Sequence, residues 1–180
     1  MHFFVSNNKT TSKMQEKTLI IFGSSLGNTQ FVAEKLQQLL PGSVLMEASC
    51  VTKKEIDKFS NLILGSSTWG VGLLQDEFDT FMELLQEQNL TNKTIALFGL
   101  GDQQNYPDSF CDGMGKIYDT LKDRGVKFIG EWPADEYDFS MSKAFKNGKL
   151  VGLALDEDNE PDLTNYRLKN WVKKIKSFLQ

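Results

Sequence analysis

The chain has 180 residues, of which 40% are hydrophobic and 24% are charged, and its formal net charge is −4. This length and balance suit one globular domain with a substantial core and argue against a second domain. No apolar run approaches the roughly 20 residues that span a bilayer, and no secretory signal is evident, so we expect a soluble, cytoplasmic protein without a membrane partner.

The first 16 residues are mostly polar and show no periodicity. We interpret residues 1–16 as a flexible extension in front of a single domain formed by residues 17–180. The alternative is a targeting segment, because the stretch is acid-poor and rich in Ser, Thr and Lys, although it lacks the arginine that such segments usually contain.

From residue 18 onward, short apolar runs alternate with helix-length segments. The runs are rich in Ile, Leu, Val and Phe, and they predict strands at residues 18–22, 43–47, 61–65, 93–99 and 126–132. The segments between them predict helices at residues 29–40, 52–59, 75–86 and 109–124, and apolar residues at helical steps predict a last helix that includes residues 168–179. The strands are apolar on both faces, so we expect an α/β protein, with a doubly wound five-stranded parallel sheet and helices on both faces.

One segment interrupts this alternation. Residues 133–149, "PADEYDFSMSKAFKNGK", separate the fifth predicted strand from a strand pattern that resumes at residues 150–155. We interpret the segment as a structureless insertion in the fifth strand. Such insertions are often functional, and a tolerated surface excursion is the alternative.

Three polar, Gly-containing loops follow the first, third and fourth strands: "GSSLGNT", "SSTWGVGLLQDEF" and "GLGDQQNYPDSF". Ligands of open parallel sheets bind beyond the carboxyl ends of the strands, so these loops mark the expected site. Trp69 follows the third strand and Tyr106 the fourth, and two rings from neighbouring loops suggest a clamp for a flat aromatic ligand. The alternative is that each ring only covers apolar surface.

The first of these loops can bind phosphate although it contains no charged residue. A P-loop would carry a lysine, whereas this loop offers hydroxyls, backbone N–H groups and the start of a helix, which carries about half a positive charge. Ser, Asn and Thr are also common helix caps, so simple capping is the alternative explanation of these residues.

Residues for other chemistry are scarce. The two cysteines, Cys50 and Cys111, are far apart in sequence and distant from His2, the only histidine, so we expect neither a metal site nor a disulfide and predict that both cysteines are buried. No Ser/His/Asp or Cys/His set can be assembled. The run "DEDNEPD" at residues 156–162 lacks the glycine of a calcium loop, so we interpret it as a solvated acidic turn.

Together the three loops resemble the flavodoxins, and the resemblance extends over nearly the whole chain from Lys17. The block "ALFGLGDQQNYPDSFCDGMGKIYDTLKDRG" is similar to the fourth-strand signature of that family. The tail "LVGLALDEDNEPDLTNYRLKNWVKKIKSFL" and the insertion resemble the long-chain class. The resemblance implies a flavodoxin-like fold with strand order 2-1-3-4-5, one non-covalent FMN, and a low-potential carrier of single electrons between redox proteins rather than an enzyme.

The resemblance also implies which residues contact the cofactor. It places the FMN phosphate in the loop of Ser24, Ser25, Leu26, Gly27, Asn28 and Thr29. It places the isoalloxazine ring between Trp69 and Tyr106, with its N5 side lined by Thr68 and by the backbone around Gly70, Val71 and Gly72. Ser67 is a further cofactor-binding residue. The pyrimidine edge is approached by Leu100, Gly101 and Asp102, and the ribose or nearby ring atoms by Ser109 and Asp158.

Two positions depart from the family pattern. The phosphate loop usually has a threonine where this chain has Leu26, so one hydroxyl donor is missing, and Leu100 stands where a small or hydroxyl residue is common.

The resemblance also implies a role for the backbone of Gly70. In flavodoxins the peptide at this position can turn its carbonyl towards the protonated N5 of the one-electron-reduced ring, and glycine reaches the required backbone conformation at little cost.

The charge distribution indicates the kind of partner. Residues 69–140 hold 14 acidic and 5 basic residues, a balance of −9. Such a field disfavours binding of nucleic acid and favours a protein partner with a basic docking surface. The alternative is that the acidic residues serve solubility alone. The resemblance suggests a ferredoxin/flavodoxin-NADP reductase or a low-potential oxidoreductase as the partner. It also suggests that the protein is a monomer.

Two other functions are alternatives. The main rival is an FMN-dependent NAD(P)H:quinone oxidoreductase-type enzyme on the same fold, which would need a substrate pocket beside the ring and usually a dimer. The other is a phospho-receiver or a cofactor-free interaction module. A receiver needs acidic residues after its first strand and a lysine after its fifth, whereas here the first strand ends "FGSS" and the fifth "GEWP".

Overall fold

A computed structural model describes residues 17–179, so the predicted extension at residues 1–16 lies outside the described residues. The strands are, in chain order, β1 (Thr18–Gly23), β2 (Val44–Glu47), β3 (Asn61–Trp69), β4 (Leu73–Leu74), β5 (Thr94–Leu100), β6 (Lys127–Ile129), β7 (Trp132–Pro133), β8 (Phe145–Lys146), β9 (Lys149–Leu150) and β10 (Leu153–Leu155). The α-helices are α1 (Asn28–Leu39), α2 (Lys53–Lys58), α3 (Asp76–Gln86), α4 (Asp112–Leu121) and α5 (Thr164–Ile175).

The main sheet is parallel, and its strands follow the order β2-β1-β3-β5 with a divided edge strand beyond β5. The first part of that edge, β6, pairs with the start of β5 at Thr94, and the second part, β10, pairs with its end at Leu100. The fifth strand is therefore interrupted, as predicted. The α/β class and the order 2-1-3-4-5 are confirmed.

The central strands are buried on both faces because helices cover both sides of the sheet. Residues Leu62, Ile63 and Leu64 of β3 have no exposed surface, although their side chains alternate between the two faces. Helix α1 packs beside α5, and α3 packs beside α4, which gives the two covering layers. No helix between residues 17 and 179 has the length and apolar composition needed to span a bilayer.

Several predicted boundaries differ from the structure, and the fifth predicted strand, residues 126–132, is shortened to β6 at Lys127–Ile129. Helix α4 begins at Asp112 rather than at residue 109, because Cys111 has φ 53° and this left-handed residue cannot belong to the helix. Strand β3 continues to Trp69 instead of ending at residue 65, because its end pairs antiparallel with β4. The last helix ends at Ile175 and is followed by a 3₁₀ turn at Lys176–Phe178.

The insertion is ordered, which corrects the prediction of a structureless segment. Strands β7, β9 and β8 form a small antiparallel sheet in that order. The two residues between β8 and β9, Asn147 and Gly148, have φ 51° and 83°. Asn-Gly is the preferred sequence of a two-residue hairpin turn with positive φ at both positions.

The two cysteines differ in their exposure to solvent. Cys111 is fully buried, and this burial raises the pKa of its thiol well above the usual range. Cys50 is exposed at the end of a 3₁₀ turn at Ala48–Cys50, so the prediction that both cysteines are buried is wrong for Cys50.

Candidate functional site

A cavity of about 290 Å³ lies at the carboxyl ends of β1, β3 and β5. It brings together fifteen of the eighteen residues that the sequence predicted, which are Ser24, Ser25, Leu26, Asn28, Thr29, Ser67, Thr68, Trp69, Gly70, Leu100, Gly101, Asp102, Tyr106, Ser109 and Asp158. Gly27, Val71 and Gly72 belong to the same loops but do not line the cavity. Glu157 lines it and was not predicted.

A larger and more open depression of about 760 Å³ lies against the insertion, between Asp108 and Gly148. It contains none of the residues that line the smaller cavity. We place the candidate site in the smaller cavity, because three strand ends and the start of α1 converge there.

The start of α1 is open to an anion. Gly27 is the N-cap residue with φ 94°, and no side chain between residues 17 and 179 caps the helix. The hydroxyl of Ser24 accepts a hydrogen bond from the N–H of Gly27 at 3.1 Å, which fixes the loop without occupying the first helical turn. Simple capping therefore does not explain these residues, and the uncapped N–H groups are suited to bind phosphate.

A buried glutamine supports the loop from behind. The side-chain Nε2 of Gln75 donates to the hydroxyl of Ser25 at 3.3 Å, and its Oε1 accepts from the N–H of Phe78 at 3.0 Å. A Cβ at Gly23 would clash with the same Oε1 and would lie 2.8 Å from the Cβ of Phe78, so glycine is favoured there. Gln75 thus joins the start of α3 to the loop after β1, a role without a local sequence signal because the two residues are 50 positions apart.

The two predicted rings both line the cavity and remain partly accessible, with Trp69 37% and Tyr106 54% exposed. The indole N–H of Trp69 donates to the hydroxyl of Ser67 at 2.9 Å. The backbone N–H of Tyr106 donates to the carbonyl of Asp102 at 3.0 Å. Each ring is therefore attached to an ordered backbone, and an aromatic ligand in the cavity can contact both.

The turn after β3 contains Gly70, whose peptide can turn in the family that the sequence resembles. Gly70 has φ 50°, and a Cβ placed on it would meet no atom within 4 Å. Gly72 has φ 80° and lies against the carboxylate of Asp112. Between them, Val71 is almost fully exposed and does not line the cavity.

The cavity is lined by the carboxylates of Asp102, Glu157 and Asp158, and by no Lys or Arg of the described chain. Burial opposes ionisation of Asp102, but hydrogen bonds from Asn105, Asn159 and the N–H of Gln104 outweigh it and hold the pKa of Asp102 below its usual range. Burial, followed by repulsion from Asp102 and Asp156, raises the pKa of Asp158. Extra negative charge beside these carboxylates, away from the start of α1, is therefore unfavourable.

Other chemistry finds little support in the described chain. No group of three or more His, Cys, Asp or Glu among residues 17–179 is arranged to hold a metal ion. Thr68 and Ser109 do line the cavity, but the hydroxyl of Thr68 accepts a hydrogen bond from the N–H of Gly113 at 3.0 Å and so supports the start of α4.

A doubly wound sheet of this order, with its cavity at the carboxyl ends, defines a flavodoxin-like α/β protein. The family model described as Flavodoxin matches residues 20–171, and the chain belongs to this family. The family resemblance drawn from the sequence is thereby confirmed.

Individual relatives agree with that assignment. The flavodoxin of Synechocystis sp. is 43% identical over 164 residues, which cover 89% of this chain and 96% of the relative. The flavodoxin of Buchnera aphidicola subsp. Acyrthosiphon pisum is 43% identical over 163 residues, which cover 89% of this chain and 95% of the relative. Among solved structures, Fusobacterium nucleatum flavodoxin bound to flavin mononucleotide has a TM-score of 0.86 at 30% identity and covers 91% of this chain and 99% of its own.

Proposed function

We propose that this chain binds one FMN non-covalently in the 290 Å³ cavity and carries single electrons between redox proteins. The observation that carries the proposal is the uncapped start of α1 in the same cavity as Trp69 and Tyr106. A ligand with an anionic group at one end and a planar ring at the other matches this arrangement. The FMN bound to the Fusobacterium nucleatum flavodoxin is such a ligand.

The residues divide into two groups in this proposal. The N–H groups and hydroxyls of Ser24, Ser25, Asn28 and Thr29 hold the phosphate, with Leu26 and Gly27 contributing backbone. Trp69 and Tyr106 hold the ring, and the backbones of Gly70 and Gly101 approach its edges. The bound flavin supplies the redox chemistry, and the protein adjusts it through stacking, hydrogen bonds and charge.

The charge of the cavity favours a low reduction potential. Three carboxylates line it without a basic residue of the described chain, and a negative charge added to the ring on reduction would be repelled by them. Asp102 contributes to this repulsion, because its hydrogen bonds favour its ionised form. This arrangement suits a protein that donates electrons to acceptors of low reduction potential.

The rim of the cavity suits a basic protein partner. Leu26 is 82% exposed, and Val71, Leu73 and Tyr106 are also more than half exposed, so an apolar surface surrounds the mouth. Acidic residues follow it directly at the start of α3, where Asp76, Glu77 and Asp79 occupy the first turn. A monomer that docks a basic redox protein at this rim, with ferredoxin/flavodoxin-NADP reductase or a low-potential oxidoreductase as examples, would lose affinity as salt rises.

Two assays test the electron-carrier role against the rival quinone reductase. The purified protein should be yellow and should release FMN on heating, as seen by chromatography. With NAD(P)H and a quinone but no reductase, it should show no sustained oxidation of NAD(P)H, and addition of a reductase should start electron flow through it. Sustained turnover by the protein alone would support the enzyme and overturn the carrier.

A further inference from the structure

Gln75 does not line the cavity, but it contacts a residue that does. Its side chain is buried, with the residue 4% exposed, and its amide Nε2 donates to the hydroxyl of Ser25 at 3.3 Å. Ser25 lies in the loop after β1 and lines the cavity. Any effect of Gln75 on a ligand in the cavity is therefore indirect and passes through that loop.

The start of α3 fixes the orientation of the Gln75 amide. A backbone N–H can only donate, so the atom that meets the N–H of Phe78 at 3.0 Å is the amide oxygen Oε1. The amide NH₂ group then faces Ser25. Because Phe78 is fully buried, solvent does not compete for this contact. The amide thus presents the positive end of its dipole to the loop.

The backbone of Gln75 is held at both of its polar groups. Its N–H donates to the hydroxyl of buried Ser66 in β3 at 3.4 Å, and its carbonyl accepts from the N–H of Asp79 in α3 at 2.9 Å. The absence of a Cβ at Gly23 makes room for the amide beside the end of β1. Gln75 therefore has a fixed place between β1, β3 and α3, from which it can hold the loop after β1 in one position.

The contact with Gln75 determines how the hydroxyl of Ser25 can be used. A serine hydroxyl has one proton to donate and two lone pairs that accept. Because a lone pair accepts from Gln75, the proton stays available for an acceptor in the cavity, such as a phosphate oxygen. The loop at residues 23–29 contains no charged residue, so its capacity to hold an anion depends on such neutral donors.

We propose that Gln75 is a positioning residue that fixes the hydroxyl of Ser25 as a donor to the phosphate of the bound flavin. This inference rests on the proposed function. It concerns the phosphate end of the ligand alone. Gln75 should therefore affect the binding of FMN far more than that of riboflavin, which lacks the phosphate.

The first test is Gln75→Glu, which retains an oxygen for the N–H of Phe78 but, when ionised, has no proton to donate to Ser25. Gln88→Glu is the matched control, because Gln88 is also buried, lies beyond the other end of α3 and donates to the carbonyl of Leu84. Apoproteins are titrated with FMN and with riboflavin. At about pH 8, Gln75→Glu should raise the dissociation constant of FMN at least about tenfold and that of riboflavin less than about twofold, whereas Gln88→Glu should change neither by more than about twofold.

The pH dependence of Gln75→Glu separates positioning from a purely structural effect. The loop after β1 and strand β3 contain no ionisable side chain, and Asp76, Glu77 and Asp79 in the first turn of α3 are the same in both proteins. Burial and the nearby phosphate both raise the pKa of the introduced carboxyl. Once protonated, it is neutral and can again donate to Ser25. The FMN phosphate also titrates, but it does so with both proteins. The ratio of the FMN dissociation constants of the variant and the unaltered chain should therefore fall to within about twofold at about pH 5.5.

A double-mutant cycle tests the route through Ser25. Gln75→Met removes the donor without adding a charge and should weaken FMN binding about fivefold. In the Ser25→Ala background the same change should have an effect of less than about twofold, because the hydroxyl that Gln75 positions is absent. Gln75→Met also removes the side-chain cap of α3, but this loss is common to both backgrounds and cancels in the cycle. Thermal unfolding of each apoprotein shows whether the fold is intact.

The outcomes distinguish the role of Gln75 from the proposed function. The role of Gln75 is overturned if Gln75→Glu leaves FMN binding unchanged or weakens both flavins equally, or if its deficit does not depend on pH. It is also overturned if the effect of Gln75→Met persists without the Ser25 hydroxyl. If the unaltered chain binds neither flavin, or binds riboflavin as tightly as FMN, the proposed function itself has failed and the role of Gln75 fails with it.

Discussion

The side-chain amide of Asn159 donates to the carboxylate of Asp102 at 2.9 Å and joins the acidic segment after β10 to the loop after β5. The same amide also donates to Asp156, which is fully buried. One neutral side chain thus holds two carboxylates that lie at or beneath the cavity. This arrangement keeps a negative charge in place beside the proposed ring position.

Replacing Asn159 by alanine should destabilise the apoprotein at neutral pH by about 2 kcal/mol, since hydrogen bonds to charged groups are lost. The native pKa of Asp102 is lowered, because its hydrogen bonds outweigh burial, so its contribution to stability is present above the ordinary pKa of 3.8 and is lost as pH falls through the lower native value. In the variant that pKa moves back up. Urea unfolding should therefore show a difference between the two proteins that shrinks as the pH falls below about 4.

The control for that experiment is Asn165→Ala, which removes an exposed contact with Lys35. Exposed pairs contribute at most about 1 kcal/mol, so its effect should be small at every pH. A destabilisation by Asn159→Ala that stayed constant down to pH 3 would show that Asp102 is not the group affected.

Leu26→Thr should tighten FMN binding. Leu26 lines the cavity with an exposed side chain, and the helix that follows has no side-chain cap in the described chain. A hydroxyl at this position can donate to the phosphate, and at an exposed site we expect a gain of about 1 kcal/mol, or roughly fivefold in affinity. Leu26→Val is the matched control, because valine has the shape of threonine without the hydroxyl. Equal or weaker binding of FMN by the threonine variant than by the valine variant, in a fluorescence titration, would count against this role of Leu26.

Gly70→Thr should lower the amount of flavin that accumulates in the one-electron-reduced form. A Cβ at Gly70 meets no atom within 4 Å, so the effect would come from the backbone alone. Positive φ costs a residue with a side chain roughly 1 kcal/mol, and it costs asparagine less, so Gly70→Asn should give an intermediate yield. Spectroelectrochemistry of the three proteins measures these yields. An unchanged yield in both variants would show that the backbone freedom of Gly70 does not favour the one-electron-reduced form.

Much of the fold could be predicted because it depends on local pattern. Apolar runs without alternation mark strands buried on both faces, and five of them gave the sheet. Interruption of the fifth strand was also visible from the gap in that pattern. The order within the insertion was missed, although Asn147 and Gly148 form the sequence that most strongly favours a tight hairpin.

The site was predictable where its residues follow strand ends, and not where its geometry depends on distant contacts. Ser24, Trp69 and Tyr106 could be found from position and residue type. Gln75 could not, since it acts through Ser25, which lies 50 residues away along the chain. The start of α4 was misplaced for a related reason: a left-handed conformation at Cys111 is imposed by tertiary packing and has no local signal.

The proposed function depends most directly on FMN occupying the cavity with its ring at Trp69 and Tyr106. The measurement that tests it is an equilibrium titration of the apoprotein with FMN, followed by flavin fluorescence. Contact of the ring with both aromatic side chains predicts saturable binding of one FMN per chain, with quenched flavin fluorescence in the complex. Absence of saturable binding, or one-to-one binding that leaves the flavin as fluorescent as in free solution, would contradict the account.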